Sequence, residues 1–247
     1  MILTDDNFAT IVRAVELGRG LYDNLTKYVR FQMGALGGLV LTFLGSSLFN
    51  IVGGVPFVPL QTLWVNFTTQ VFLAIGLGYG KPAADLMERK PRPIDEPIID
   101  RSLFVWLALV SVTLGAITLG VIWWADDAHG AEVARTMGLA TFSFANVVLA
   151  LTARDRYRSV FSLDTIDDRR FLLTIGLSVL AIVFGTELQV FQRILGTVSL
   201  TPREWLICVV LPLAVVVVSD GYKWVLRRQA ATAEQAPRPP APAPEAA

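Results

Sequence analysis

Six long apolar stretches, with every Lys and Arg lying between or beyond them, constrain the fold of this chain most strongly. They cover roughly residues 31–51, 59–79, 103–125, 137–152, 171–186 and 205–222. Because an α-helix rises about 1.5 Å per residue, about 20 apolar residues cross a hydrocarbon layer of roughly 30 Å. The sequence therefore predicts an all-α membrane protein whose six transmembrane helices pair as hairpins.

The basic residues crowd into every second gap between these stretches. Four lie in residues 1–30, five in 80–102, five in 153–170 and four beyond residue 222. The three intervening gaps hold, in chain order, no basic residue, one (Arg135) and two. Basic residues accumulate in cytoplasmic loops. We expect a multi-pass protein of the bacterial plasma membrane with both termini cytoplasmic, embedded in the lipid bilayer and binding no nucleic acid.

Composition excludes several classes of protein. A hydrophobic content of 53 % with only 17 % charged residues does not suit a soluble domain. The single cysteine, Cys208, cannot form an internal disulfide or a paired-cysteine metal site, and its apolar surroundings predict a core residue. The single histidine, His129, leaves little scope for histidine-based catalysis.

The two ends of the chain differ from its middle. Residues 1–4 predict a short strand, and the apolar stripe of Phe8, Ile11, Val12 and Val15 predicts a helix, loosened at residues 18–20 before a second helical stretch. That stripe suits either a membrane surface or a missing cytoplasmic domain. Residues 229–247 are rich in Ala and Pro and predict a disordered tail.

The second apolar stretch carries the densest set of polar residues. Asn66, Thr69 and Gln70 are spaced i, i+3 and i+4, which predicts one face of a helix. Amide and hydroxyl oxygens can replace the water shell of a hard cation, so these residues predict an ion pathway, with Asn66 and Thr69 as metal ligands. The same side chains also join helices by hydrogen bonds, and spacing alone does not separate the two roles.

Other intramembrane residues refine this picture. Ser143 and Asn146, spaced i, i+3 in the fourth stretch, could face the same polar centre, and Gly34 and Gly38 predict close helix packing. Acidic residues avoid the spans, apart from Asp220 near the end of the last one. A charge at mid-membrane costs about 2.5–3.5 kcal/mol on insertion scales. The chain therefore brings no buried carboxylate to a pathway.

Several motifs together resemble one family. Residues 1–12 (MILTDDNFATIV) with Ala14-Val15-Glu16 and Gly18-Arg19 resemble the end of the phosphorylation domain of P-type cation-transporting ATPases. Residues 22–31 resemble their stalk, and residues 60–66 (LQTLWVN) with 90–97 resemble their sixth membrane helix and the following loop. The resemblance, nearest to the calcium-pump-like branch, implies three parts: 1–30, the end of the phosphorylation domain and stalk; 31–228, membrane helices five to ten; and 229–247, the tail.

The resemblance also sets limits on chemistry. The family uses ATP and Mg²⁺, but its DKTGT and TGE motifs and its nucleotide-binding domain have no counterpart here. Phosphoryl transfer needs a nucleophile, a metal and a nucleotide site. We therefore expect no catalytic residue in this chain and no ATP hydrolysis by the chain alone. Its expected partner is the missing N-terminal part of the pump or a full-length pump.

The ion site implied by the family is altered. Its N-x-x-T-D motif is matched by Asn66 and Thr69, but Gln70 replaces the acid. The fifth-helix ligands fall at Leu36 and Leu39, and the eighth-helix glutamate falls near Ser143, so Ser143 joins Gln70 as a neutral substitute. Binding of two Ca²⁺ ions is improbable without these carboxylates. A monovalent cation, a single ion, or a carboxylate from another helix all stay open.

Three functions follow from this reasoning. The main hypothesis is the C-terminal membrane part of an ATP-driven cation pump, truncated or separately encoded, that contributes part of the ion pathway. A stand-alone passive cation channel or carrier is the second. The third is a non-transporting partner that packs against a full-length pump.

Overall fold

The computed structural model describes residues 8–80, 86–88, 99–155, 160 and 168–235. Within these ranges the regular structure is helical. In chain order the helices are α1 (Phe8–Leu48), α2 (Pro59–Trp64), α3 (Val71–Gly78), α4 (Arg101–His129), α5 (Ala131–Ala153), α6 (Arg169–Glu187), α7 (Gln189–Leu195), α8 (Pro202–Val210) and α9 (Ala214–Gln235). A π-helical segment, Val65–Gln70, joins α2 to α3, and short 3₁₀ turns cover Ile51–Gly54 and Leu211–Leu213.

The predicted six-span organisation is confirmed over the described ranges. Six helices there are long and apolar enough to cross a membrane: Phe8–Leu48, Pro59–Gly78, Arg101–His129, Ala131–Ala153, Arg169–Glu187 and Pro202–Gln229. The second span is the composite of α2, the π-helical segment and α3. The sixth combines α8, a 3₁₀ turn and the first part of α9. Each of the six contains one of the apolar stretches of the sequence or most of it.

Helix α1 differs from the sequence prediction at its glycines. Residues 18–20 do not interrupt it, and it runs unbroken over 41 residues. An interior glycine costs only about 1 kcal/mol relative to alanine, and contacts along the rest of this helix offset that cost. Gly20 is buried, and Arg19 donates to the Leu86 carbonyl at 2.9 Å, which fixes this part of the helix against the segment after the second span. The predicted strand at residues 1–4 lies outside the described residues.

Helix α5 is the centre of the bundle. It is 89 % buried over its most apolar window, against 28–50 % for the other five spans. It contacts α1, α4, α6, α8, α9 and the π-helical segment. Small residues such as Ala134, Gly138, Ala145 and Ala150 line this helix and let its neighbours approach closely. Polar side chains on α5 therefore face protein rather than lipid.

Helices α1 and α4 pack closely through the predicted small residues. A Cβ at Gly37 would overlap the Ser111 hydroxyl, and one at Gly38 would overlap Leu114. The Ser111 Oγ donates to the Gly34 carbonyl at 3.2 Å, so the close approach also satisfies a polar group. The packing role expected for Gly34 and Gly38 agrees with this geometry.

The loop after α1 is held by the one basic residue between the third and fourth spans. Arg135 donates from Nε to the Val55 carbonyl at 3.2 Å and from Nη2 to the Val52 carbonyl at 3.4 Å. Val52 has φ 50°, a left-handed conformation that costs a β-branched residue free energy. Arg135, which lies near the start of α5, therefore ties this strained turn to the central helix.

The last helix is fastened to the bundle by polar side chains near its end. Lys223 Nζ donates to the Thr152 carbonyl at 2.8 Å, in the last turn of α5, where carbonyls lack helical partners. Tyr222 Oη donates to the Ser102 carbonyl at 2.8 Å, and Trp106 Nε1 to Ser219 Oγ at 3.0 Å. Helix α9 continues to Gln235, past residue 229 where the tail was expected to begin; residues 236–247 lie outside the described ranges.

One smaller prediction also agrees with the structure. Cys208 is fully buried and its Sγ lies 3.5 Å from the Met137 carbonyl, as expected of a core residue. The long loop before the sixth span contains α7, whose Phe191 ring lies with its centroid 4.8 Å from that of the Trp64 ring, in a tilted arrangement. The loop thus packs back on the second span.

We predict that Gly37→Ala destabilises the bundle by about 1–3 kcal/mol, because the added methyl forces α1 and α4 apart. Thermal unfolding of the protein in detergent micelles measures this effect. Gly120→Ala is the matched control, since no atom lies within 4 Å of a Cβ there. Equal midpoints for the two variants would contradict the packing role of Gly37.

Candidate cation site

The π-helical segment contains all three polar residues predicted for the second span. It covers Val65–Gln70 and so includes Asn66, Thr69 and Gln70. The i, i+3, i+4 spacing predicted a regular α-helix here, and this prediction is wrong. π-helical turns are rare and occur frequently at functional sites. The widened turn changes the direction of these side chains relative to the i, i+3, i+4 spacing.

Local sequence and a neighbouring helix both support the wide turn. Val65, Thr68 and Thr69 are β-branched, and such residues fit an α-helix less well than straight-chain residues. The Thr68 Oγ1 donates to the Trp64 carbonyl at 2.6 Å, just before the segment begins. Near its end, Ser178 Oγ of α6 donates to the Thr69 carbonyl at 3.3 Å. Two hydroxyls thus supplement the backbone bonds of this segment.

The three residues are not equally buried. Thr69 is 0 % exposed and Gln70 is 4 % exposed, while Asn66 is partly exposed. The Thr69 Oγ1 has no hydrogen-bond partner among the described residues. A buried hydroxyl without a partner is costly in an apolar medium. Thr69 is therefore the residue of this segment whose buried side-chain oxygen has no partner in the described part of the chain.

Helix α5 supplies the second group of polar residues beside the segment. Ser143, predicted from the sequence, is 2 % exposed. Asn146 is 0 % exposed; its Nδ2 donates to the Phe142 carbonyl at 2.9 Å, which leaves Oδ1 without a partner within the described part of the chain. Asn146, which the sequence spacing had already grouped with Ser143, is therefore also a candidate residue. An amide in the middle of an apolar span was the sequence signal for it.

Other buried polar residues of the second span have structural roles. Gln61 is fully buried, but its Oε1 accepts from the Val58 amide at 3.1 Å and its Nε2 donates to the Leu195 carbonyl at 3.1 Å. Trp64 Nε1 donates to the Ala181 carbonyl at 3.3 Å. These side chains join helices, which was the alternative role considered for all polar residues here. Thr69 and Asn146 differ, because one side-chain oxygen of each has no hydrogen-bond partner among the described residues.

The site is electrically neutral in this chain. The second span contains no Asp, Glu, Lys or Arg, and the described residues contain no cluster of three or more His, Cys, Asp or Glu. In α1, Leu36 is 48 % exposed and Leu39 packs against the core, so neither position contributes a polar group. The available donors are amide and hydroxyl oxygens. Such a set can hold a hard cation but cannot neutralise a divalent charge.

The link between α1 and the second span lies at the end of α3. Asn24 Nδ2 donates to the Gly78 carbonyl at 3.2 Å and to the Gly80 carbonyl at 2.7 Å. Its Oδ1 accepts from Lys27 Nζ at 3.2 Å, and Lys27 also pairs with Asp23 at 2.8 Å. The last carbonyls of a helix lack helical partners, so Asn24 caps α3 from another helix. Asn24 therefore links α1 directly to the end of the second span.

The second span thus carries polar residues in a π-helical segment that contacts the central helix of the bundle. The family model described as "Cation transporting ATPase, C-terminus" matches residues 54–225, well over half of the chain. The chain belongs to this family and corresponds to the C-terminal membrane region of a P-type cation-transporting ATPase. ATP and Mg²⁺ are used by the family as a whole.

Curated relatives agree with this assignment. The chain is 30 % identical over 211 residues to the "Calcium-transporting ATPase" of Bacillus subtilis, covering 85 % of this chain and 23 % of the relative. It is 31 % identical over 231 residues to "Calcium-transporting ATPase 1" of Schizosaccharomyces pombe, covering 93 % and 25 %. The "Probable cation-transporting ATPase F" of Mycobacterium tuberculosis H37Rv is 29 % identical over 227 residues, covering 89 % and 24 %. The chain thus spans about a quarter of the length of these relatives.

We predict that Thr69→Val leaves the thermal midpoint unchanged or raises it, because the lost hydroxyl makes no hydrogen bond among the described residues. Gln61→Met is the contrasting variant: it removes two hydrogen bonds and should cost about 1–3 kcal/mol. Both are measured by thermal unfolding in micelles. A large loss of stability in Thr69→Val would show that its hydroxyl holds the fold together.

Proposed function

We propose that this chain forms half of the cation pathway of an ATP-driven pump, as helices five to ten, and is inactive in ATP hydrolysis alone. The observation that carries the proposal is the pair of buried oxygens without partners, Thr69 Oγ1 and Asn146 Oδ1. They belong to two elements in contact, the π-helical segment and α5. With Asn66, Gln70 and Ser143 nearby in sequence, they offer several neutral oxygens to one ion.

The chemistry of these oxygens favours a single monovalent cation. Dehydrating a divalent ion in a low-dielectric interior is expensive unless carboxylates neutralise it, and this chain brings none to the second span. A monovalent ion needs less compensating charge. A carboxylate from another part of the pump would change this balance and favour a divalent ion instead.

The N-terminal part of α1 fits the role of a stalk that receives movement from a catalytic domain. Phe8 and Leu17 are 75 % and 66 % exposed, and Val12 and Val15 are also exposed. In this proposal residues 1–30 complete the phosphorylation domain and stalk, residues 31–228 cross the plasma membrane with both termini in the cytoplasm, and residues 229–247 form the tail. The Asn24 contacts with Gly78 and Gly80 then carry movement to the second span.

The proposal is tested by co-expressing this chain with the N-terminal part of a pump of the same family and reconstituting the complex in vesicles. Uptake of radioactive sodium, rubidium and calcium is measured with and without ATP. We expect ATP-dependent uptake of one monovalent ion, reduced about tenfold by Thr69→Val and by Asn146→Leu, since each loses one ligand contact of about 1.4 kcal/mol. Thr113→Val is the control, because its exposed hydroxyl bonds only within its own helix.

The outcomes separate the alternatives. Flux through the purified chain without ATP would favour a passive channel or carrier. A folded complex that transports none of the three ions would contradict the pump and favour a partner without transport activity. Uptake of calcium would contradict the monovalent assignment and point to a carboxylate outside this chain.

A further inference from the structure

Helix α6 holds the second span at three successive levels. Directly before the π-helical segment in the chain, Trp64 Nε1 donates to the Ala181 carbonyl at 3.3 Å. Within it, Ser178 Oγ donates to the Thr69 carbonyl at 3.3 Å. Beyond it, Gly76 lies so close to Thr174 that a Cβ on the glycine would overlap the threonine hydroxyl. The two helices are therefore fixed to each other on both sides of the wide turn.

Ser178 makes the contact at the turn itself. The residue is 0 % exposed, and its hydroxyl also approaches the Thr174 carbonyl of its own helix at 2.9 Å. A hydroxyl has one proton, so the two carbonyls share it. Every backbone carbonyl in a bilayer interior needs a donor, and a change from α- to π-helical pairing alters which amide each carbonyl meets. The Ser178 hydroxyl belongs to another helix, so it can donate to the Thr69 carbonyl with either pattern of backbone pairing.

We propose that Ser178 is a positioning residue for the cation site. Its hydrogen bond to the Thr69 carbonyl keeps Val65–Gln70 in its π-helical form. The side chain of the same threonine then stays buried with its hydroxyl available to an ion. The claim that Ser178 affects ion binding rests on the proposed function. The claim that Ser178 keeps the segment π-helical can be measured independently of that function.

The test uses the full chain in lipid nanodiscs. Hydrogen exchange of the backbone amides of residues 65–71 is measured by mass spectrometry, and binding of radioactive sodium, rubidium and calcium is measured by filtration. In Ser178→Ala we expect exchange in this segment to rise about tenfold and affinity for the bound ion to fall about tenfold. Ser178→Thr restores the hydroxyl and should restore both values.

Thr186→Val is the matched control on the same helix, because its buried hydroxyl bonds only to carbonyls of α6. It should change neither measurement. Unchanged exchange in Ser178→Ala overturns the conformational claim. Raised exchange with unchanged ion affinity overturns the positioning role while leaving the proposed function intact. If the unmodified chain binds none of the ions while Ser178→Ala still raises exchange, the proposed ion site in this chain is wrong and the positioning role is wrong with it.

Discussion

The absence of water from the bilayer core is the constraint on which the rest of this structure depends. Each peptide N–H and C=O there needs a partner within the protein, and helices meet that demand along their length but not where they end or change pitch. At those places the chain uses side chains. Ser46 donates to the Ile51 carbonyl at 2.7 Å, Thr197 to the Gly185 carbonyl at 2.6 Å, and Lys223 to the Thr152 carbonyl at 2.8 Å.

Because of the same constraint, the few buried side-chain oxygens without a hydrogen-bond partner among the described residues are informative. Most buried hydroxyls of the described residues bond to a carbonyl of their own helix or of a neighbour, as Thr42 and Thr118 do. The Thr69 hydroxyl does not, and the amide oxygen Asn146 Oδ1 also has no partner among the described residues. The two residues belong to elements that contact each other, the π-helical segment and α5. The irregular backbone and the side-chain oxygens without partners therefore occur in elements that contact each other. Together they support a ligand site better than either feature would alone.

Much of the fold was predictable because membrane thickness and charge distribution act on whole segments. Apolar length gave the six spans, and the small residues of α1 gave its contact with α4. The π-helical turn was not predictable, because it depends on a hydroxyl of α6 that is 109 residues away from Thr69 in sequence. The continuity of α1 through Gly18 and Gly20 was missed for a similar reason. Local propensity disfavours it, and distant contacts decide it.

The types of residue that form the candidate site were predictable from the sequence. Which individual residues belong to it was less predictable. Polar residues inside an apolar span were visible in the sequence, but the sequence could not separate Gln61, whose amide is fully used, from Thr69, whose hydroxyl is not. That distinction needs the positions of partners on other helices. It also shows that Asn146, which the sequence had paired with Ser143, keeps a side-chain oxygen without a partner among the described residues.

The unbroken course of α1 has a mechanical consequence. At about 1.5 Å per residue, its 41 residues form a rod about 60 Å long. No loop interrupts this rod, so a tilt applied at one end is passed along the helix toward the other. A rotation of about 5° about one end displaces the other by about 5 Å, comparable with one helical turn. A small angular change applied at the amino end is thereby converted into a large translation across the bundle.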